Sequence, residues 1–342
     1  MIPPEKLEAF QLFFHKHFSF AVIGHIDPDG DDISSVLSTT LMLRRLGKKA
    51  IPLIDSPLPE VMDEVPLIQT IRRDLPSDEK FPDAMIVVDA SSPDRLGKFE
   101  PLLHKIPSFV IDHHRTNTQF GTFNWVDSQA AAAAQMVFWL AQKMEVLLDP
   151  VYATLNLLGL QTDSGFFKYS NTDQKLMQDA AALLGKGADA YGNASMILEN
   201  RKPEEFKLMS LMLEAIQQRL GGLLVFAYLS ESMFQQTGSR PEDSVGFVGD
   251  LRSMKGSETA ILFVQDGEKV RVSFRSKKWF DVSEVAFQFG GGGHARAAGC
   301  SLPGDLQEIM DRIVVQVEAM MKDQLADPAR EESSPGIFEK KG

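Results

Sequence analysis

Leu7, Phe10, Phe14 and Phe18 recur at helical spacing and predict an amphipathic helix over residues 5–18. Apolar runs without clean alternation follow at 19–25, 50–54, 83–89 and 108–112, and read as short buried strands. Helical patterns lie between and after them, at 33–46 (closed by Gly47), at 129–145 and at 151–161. Apolar strands separated by helices indicate a parallel sheet with helices on both faces. Such sheets bind ligands beyond the carboxyl ends of their strands, near a switch in strand order.

The pattern then changes. Residues 172–220 read as helical, with Asn200-Arg201-Lys202-Pro203 as a hinge. Strands are expected at 223–229, 259–265 and 269–275, the last two joined by the hairpin signal Asp266-Gly267. A helix at 281–289 runs into four glycines, and another at 305–326 closes the folded part. The expectation is therefore α/β: a parallel-sheet domain over 1–195, a helical linker over 196–220 and a smaller α/β domain with a mixed sheet over 221–326. The polar residues 327–342 read as a disordered tail. No internal repeat is visible.

Chemistry gathers where the apolar runs stop. The first leads into His25-Ile26-Asp27-Pro28-Asp29-Gly30-Asp31, the third ends at Asp89, and the fourth ends in Asp112-His113-His114. Asp163 follows in Thr162-Asp163-Ser164-Gly165. Asp29 and Asp31 are two apart, and Gly30 between them permits a sharp turn that aims both at one centre. Carboxylate and imidazole donors without thiolate favour Mn²⁺, Mg²⁺ or Fe²⁺. So many acids converge only if cations neutralise them. Two ions roughly 3.5–4 Å apart are the usual arrangement for phosphoester hydrolysis, acidifying a shared water and clamping the attacking and leaving oxygens. Each residue has a plainer reading by itself: Asp29 and Asp31 as helix caps, Asp89 as a strand-end turn, His113 and His114 as packed histidines. Jointly, four of the seven histidines fall in these motifs or in the glycine-rich one below, which favours a site; His15, His17 and His104 stay outside it.

Composition narrows the function. At 342 residues the chain can fill two cores, and 44% hydrophobic with 24% charged residues is that of a soluble globular protein. The apolar stretch 130–141 is too short to span a bilayer, and Glu5 and Glu8 without a basic lead argue against a signal peptide. A lone cysteine, Cys300, excludes an internal disulfide and fits a cytoplasmic location. A net charge of −12 argues against coating long nucleic acid, though not against a small anionic substrate. From Leu251 to Arg296 the balance reverses, with eight Lys and Arg against five Asp and Glu. Within that stretch the amides of Gly291, Gly292 and Gly293 can approach an anion closely. His294, Arg296, Arg275 with Ser276, and Arg252 are the accompanying candidate phosphate contacts. Lys269, Lys277 and Lys278 read as a solvated hairpin face. Trp279 or Phe280 either stacks on a base or packs in the core.

These motifs together resemble the DHH phosphoesterase superfamily, and Gly290-Gly291-Gly292-Gly293-His294-Ala295-Arg296-Ala297-Ala298-Gly299 resembles the signature of its DHHA1 domain. The likeness covers roughly residues 15–320, and the two-domain layout is most similar to nanoRNase/pAp phosphatases of the NrnA type. The resemblance implies two Mn²⁺ per chain, with Mg²⁺ or other divalent ions as substitutes. His25, Asp29 and Asp89 would hold one ion, and Asp31, Asp89, His113 and Asp163 the other, with Asp89 bridging. His114 would contact the phosphate or assist the leaving group, and Asp112 would orient a ligand histidine. The chain departs from the family pattern at Asp32, where a small residue is common, and at Ser34, where Gly often stands; both positions are tolerated at a helix start.

The function implied is metal-dependent hydrolysis of short single-stranded RNA or DNA, about two to five nucleotides long, with dephosphorylation of pAp to AMP. A cleft between the domains would place a terminal phosphate on the second domain and the scissile bond over the metals. The nearest rival is a phosphodiesterase for cyclic dinucleotides or linear products such as pApA and pGpG. A non-catalytic metal- or nucleotide-binding regulator would need a missing ligand, and none is missing. A family II pyrophosphatase shares the metal motifs but not the Gly290–Gly299 signature. No membrane partner is expected, and a homodimer stays open.

Overall fold

The computed structural model describes residues 1–75 and 81–326, so the expected tail at 327–342 lies outside the described residues. The chain divides into two compact units, Met1–Asn200 and Arg201–Gly342.

The first unit is built on β1 (Ser19–Ile23), β2 (Lys49–Leu53), β3 (Ala84–Val88), β4 (Ser108–Asp112) and β5 (Phe123–Val126). All pairings are parallel and the order is β2-β1-β3-β4-β5. Succession along the sheet reverses between β1 and β3, which opens a crevice at their carboxyl ends. The strands lack alternation because both faces are covered. Phe20, Val22, Ile86, Val88, Phe109 and Ile111 face the helical layer of α1 (Pro4–Lys16), α2 (Gly30–Arg45), α3 (Ala133–Lys143) and α4 (Pro150–Asp163). Ala21, Ile23, Met85, Val87 and Val110 face Leu96, Phe99 and Leu102 from the 3₁₀ stretch Pro93–His104. The second cover is thus a series of short turns, because Gly97 and Pro101 interrupt a longer helix. Further along the chain come α5 (Gln174–Leu184) and α6 (Ala190–Leu198).

The second unit opens with α7 (Pro203–Glu214) and carries β6 (Gln217–Arg219), β7 (Leu224–Leu229), β8 (Thr259–Asp266), β9 (Lys269–Ser276), β10 (Gly292–His294) and β11 (Ala297–Pro303). Their order is β10-β11-β9-β8-β7-β6, with β7 and β8 parallel and the rest antiparallel. α8 (Glu231–Thr237) and α9 (Phe247–Ser253) join α7 on one face, while α10 (Val282–Gln288) and α11 (Leu306–Ala326) cover the other.

The α/β expectation and the mixed second sheet hold. Two local expectations do not. The helix expected at 129–145 begins only at Ala133, and the helical stretch expected to reach 220 ends at Glu214. Gln217–Arg219 is instead drawn into edge pairing with β7, where tertiary pairing overrides a helix-compatible Gln-Gln-Arg. Of the two alternatives weighed for Phe280, packing holds: it is fully buried in the core of the second unit.

Candidate metal centre

The polar residues beyond the carboxyl ends of β1, β3 and β4 converge on one buried point. His113 Nε2 lies 3.4 Å from Asp89 Oδ1, 3.5 Å from Asp163 Oδ2 and 3.7 Å from Asp31 Oδ2. His25 Nε2 lies 3.7 Å from Asp89 Oδ2. Ligand atoms of His25, Asp29 and Asp89 fall within 4.8 Å of one another, and so do those of Asp31, Asp89 and His113. These two triplets share Asp89, which also belongs to a third with Asp112 and His114. His25, Asp31, Asp89 and His113 are buried, while Asp29 is exposed.

Backbone geometry explains how each donor is delivered. Asp29 caps α2, accepting from the N–H groups of Asp31 and Asp32 at 3.0 and 3.1 Å. The capping reading is therefore correct, and it does not remove Asp29 from the cluster. Gly30 is needed for a different reason from the turn expected of it. Its φ is not left-handed; the positive φ falls on Asp27. A Cβ at Gly30 would meet the Thr162 side chain at 2.4 Å, so glycine permits the close approach of α2 and α4 that gathers Asp31 and Asp163. Asp89 adopts φ +55° directly beyond β3, with its N–H donating to the Ile111 carbonyl at 3.0 Å. A left-handed L-residue costs roughly 1–2 kcal/mol, and such strain concentrates at functional sites. Gly165, Phe166 and Phe167, just past Asp163, are also left-handed in succession.

Neighbouring groups hold the donors in orientation. Asp31 Oδ2 and Oδ1 accept from Ala133 N–H at 2.6 Å and Ala134 N–H at 2.9 Å. Asp31 thereby caps α3, whose own N-cap residue, Ala132, has no capping side chain. His113 Nδ1 lies 3.3 Å from the Ala130 carbonyl, and His25 Nδ1 lies 2.7 Å from the Ile26 carbonyl. Each ring can thus donate its outer N–H to a carbonyl and leave Nε2 for a cation, the usual outer contact of a metal-binding histidine. Arg95 Nη2, 2.8 Å from the same His25 nitrogen, competes for it. Asp112 holds both histidines of its motif. Its Oδ1 is 2.7 Å from His114 Nδ1 and accepts the His113 backbone N–H at 2.9 Å, while Asn117 Nδ2 donates to Oδ2 at 2.6 Å. Its ring partner is His114, which forms a further group of potential ligands with Asp89 and Asp112 itself.

Electrostatics describe a site compensated by its own imidazoles. Burial works against ionisation of Asp89, yet His113, His25 and His114 hold it well below the usual carboxylate range. Burial would lower His25; Asp32, Asp89 and Asp29 overcome it and raise the ring to about 10. Asp163, Asp89 and Asp31 likewise overcome burial at His113 and raise it well above its ordinary value. Asp31 is raised by burial and then by Asp89. Among the described residues Asp89 Oδ1 is buried without a hydrogen-bond partner, as expected of an oxygen reserved for a cation. The donor set and this orphaned oxygen fit divalent ions.

In the second unit the candidate anion contacts are clustered. His294 pairs with Ala297 and Ala297 with Arg275, so His294 and Arg275 lie in one row across β10, β11 and β9. Arg252 Nε donates to the Ser276 carbonyl at 2.8 Å, and Arg296 Nη1 lies 3.4 Å from Ser276 Oγ and donates to the Phe280 carbonyl at 2.8 Å. Ser276 is fully buried. The glycine run is ordered rather than a linker: a Cβ at Gly291 would come within 2.1 Å of the Gly299 carbonyl oxygen.

Sequence reasoning gave Asp32 no role, although it is completely buried, and missed Arg95, Asn117 and Asn171. Asn171 Nδ2 reaches the carbonyls of Ala131 and Asp163, each at 3.2 Å. Asn117 stands in the motif itself and could have been found as a side-chain donor five residues after Asp112.

Residues 19–160 match the model of the DHH family, N-terminal domain, and residues 223–323 match that of the DHHA1 domain. A bifunctional oligoribonuclease and PAP phosphatase NrnA from Thermus thermophilus is 34% identical over 305 residues, 86% of this chain and 87% of its own. The protein of that name from Bacillus subtilis is 24% identical, covering 87% of this chain and 93% of its own. The crystal structure of an exopolyphosphatase-related protein from Bacteroides fragilis has the same fold, with a TM-score of 0.86 at 21% identity over 96% of this chain and 99% of that one.

Proposed function

The chain belongs to the DHH family of phosphoesterases, and from that premise we propose that it cleaves short oligonucleotides to mononucleotides and dephosphorylates pAp to AMP. It is a hydrolase acting on phosphoester bonds. The observation that carries the finer reading is the sharing of Asp89 by two ligand triplets at the reversal of strand order.

His25, Asp29 and Asp89 would hold one Mn²⁺, and Asp31, Asp89, His113 and Asp163 a second. Divalent ions there supply Lewis acidity toward a phosphate oxygen and make a nearby water more acidic. The remaining work belongs to side chains. Asp112, itself held by Asn117, fixes His114 through Nδ1 and leaves Nε2 to contact the phosphate or give a proton to the leaving oxygen. In the second unit, Arg252, Arg275, Ser276, Gly291, Gly292, Gly293, His294 and Arg296 form the proposed anion-binding set.

His294→Ala or Arg275→Ala is expected to weaken kcat/KM by roughly tenfold to a hundredfold, since a charge-assisted hydrogen bond to phosphate is worth about 1.5–3 kcal/mol. Metal content should stay unchanged. Loss of Mn²⁺ from His294→Ala would place that residue among the metal ligands instead.

A ladder of 5′-labelled oligomers tests the substrate class. Rates should favour about two to five nucleotides and fall with length, less steeply at higher ionic strength, because a protein of net charge −12 repels a long polyanion. A preference for strands beyond about ten nucleotides would contradict the reading. Faster turnover of cyclic dinucleotides would select the rival phosphodiesterase.

A further inference from the structure

The chain turns sharply just beyond Asp163. Gly165, Phe166 and Phe167 take φ values of +58°, +57° and +64°, a left-handed run that strains every residue in it but the glycine. The turn is firmly held. Phe166 N–H donates to the Gln161 carbonyl at 2.6 Å and Phe167 N–H to Ser164 Oγ at 3.0 Å. The N–H groups of Lys168 and Tyr169 donate to the Ser164 carbonyl at 3.0 and 2.9 Å. The Tyr169 ring lies over Gly165, where a Cβ would meet it at 2.5 Å. Phe167 offsets its backbone strain by packing against the core of the first unit. Phe166 does not. It is partly exposed and packs in none of the apolar clusters of the described residues. Folding alone leaves this strained aromatic residue unexplained, three positions from a candidate metal ligand. Three Cα–Cα steps keep it within about 11 Å of Asp163, which a nucleoside bound by its phosphate at that centre can span. The stacking role is also otherwise unfilled, since Phe280 lies in the core of the second unit and Trp279 packs against it.

Resting on the phosphoester reading given above, we propose that Phe166 is a stacking platform for the base of the nucleotide whose phosphate sits at the cation site. Stacking needs only the π-face that every base has, so it suits a substrate of varied sequence. The hydrogen-bonded turn fixes the ring beside Asp163 and leaves little ordering to be done on binding. Phe166→Gly separates this role from a structural one, because it removes the ring and relaxes the left-handed backbone together.

The test is inhibition of pApA hydrolysis by AMP and by ribose 5-phosphate, which lacks the base. It uses the Mn²⁺-loaded full-length wild type, Phe166→Gly and Phe166→Tyr, with the melting temperature of each. Phe166→Gly should melt no lower than the wild type, and its Ki for AMP should rise about tenfold or more while that for ribose 5-phosphate stays unchanged. Phe166→Tyr keeps the ring and should keep the wild-type Ki for AMP. An unchanged Ki for AMP in Phe166→Gly would overturn the proposal. Equal weakening of both inhibitors, or a lower melting temperature accompanying the loss, would mark a structural role and overturn it as well. Phe166→Asn, which also tolerates the left-handed backbone, carries the same comparison if the Gly variant does not fold. Absence of pApA and pAp hydrolysis by the wild type would overturn the functional reading and this inference with it, whereas hydrolysis with an unchanged Ki in the variant overturns this inference alone.

Discussion

Replacing Asp89 by Ala is expected to lower kcat by about a thousandfold or more at saturating Mn²⁺, the most damaging single change in the protein. The ligand triplets of both proposed ions have this one residue in common, and a third with Asp112 and His114 includes it as well. Removing it takes an anion from both proposed ions at once and leaves two cations facing each other with less charge between them. The same carboxylate lies 3.7 Å from His25 Nε2 and 3.4 Å from His113 Nε2, so its loss also disturbs two other donors. Ala at φ +55° adds backbone strain. Asn tolerates that conformation better, so Asp89→Asn separates chemistry from folding: it should melt near the wild type yet turn over as poorly as Asp89→Ala. The measurement is kcat across a Mn²⁺ series, with thermal melts of both variants. Near-normal turnover by either would remove Asp89 from the centre of the mechanism.

Much of the first unit was legible because buried parallel strands are read as apolar runs, and such runs stop abruptly at the sheet edge. Ile86, Val87 and Val88 followed by Asp89, or Val110 and Ile111 followed by Asp112-His113-His114, mark both a strand and the place where its ligand-facing end begins. Segments that bury only one side or none left no such mark. Phe123–Val126 is a short edge strand to which the apolar pattern assigns no element, and Gln217–Arg219 carries helix-compatible residues drawn into a sheet edge. The start of α3 was misplaced for a deeper reason. Its cap is not local: Asp31 binds the N–H groups of Ala133 and Ala134 from more than a hundred residues upstream.

The candidate site divides in the same way. Donor identities follow from residue type and position, so His25, Asp29, Asp31, Asp89, His113 and Asp163 could be nominated from sequence, and the fold brings them together. What orients them is not visible there, because carbonyls such as those of Ile26 and Ala130 carry no sequence signal. Asp32 shows the limit most clearly. At a helix start its residue type predicts solvent, and only the packing against Gly24 reveals that it is buried.

The other large effect concerns the metal itself. The cluster gathers carboxylates whose mutual repulsion is met, within this chain, by imidazoles raised in pKa, with Asp31 and Asp163 pushed toward protonation, Asp163 to about 6. Burial is the first cause of both carboxylate shifts, and neighbouring acids add to it. Divalent ions would replace those protons, so binding should release protons and strengthen as pH rises. Chelated protein is expected to lose activity to below about 1% and to regain it with Mn²⁺. The decisive measurement is a titration of chelated enzyme with Mn²⁺, following pApA and pAp hydrolysis alongside elemental analysis of the active protein. With a two-ion centre, activity should rise with metal content and saturate near two Mn²⁺ per chain. Full activity in protein that contains no metal, or only zinc, would contradict it.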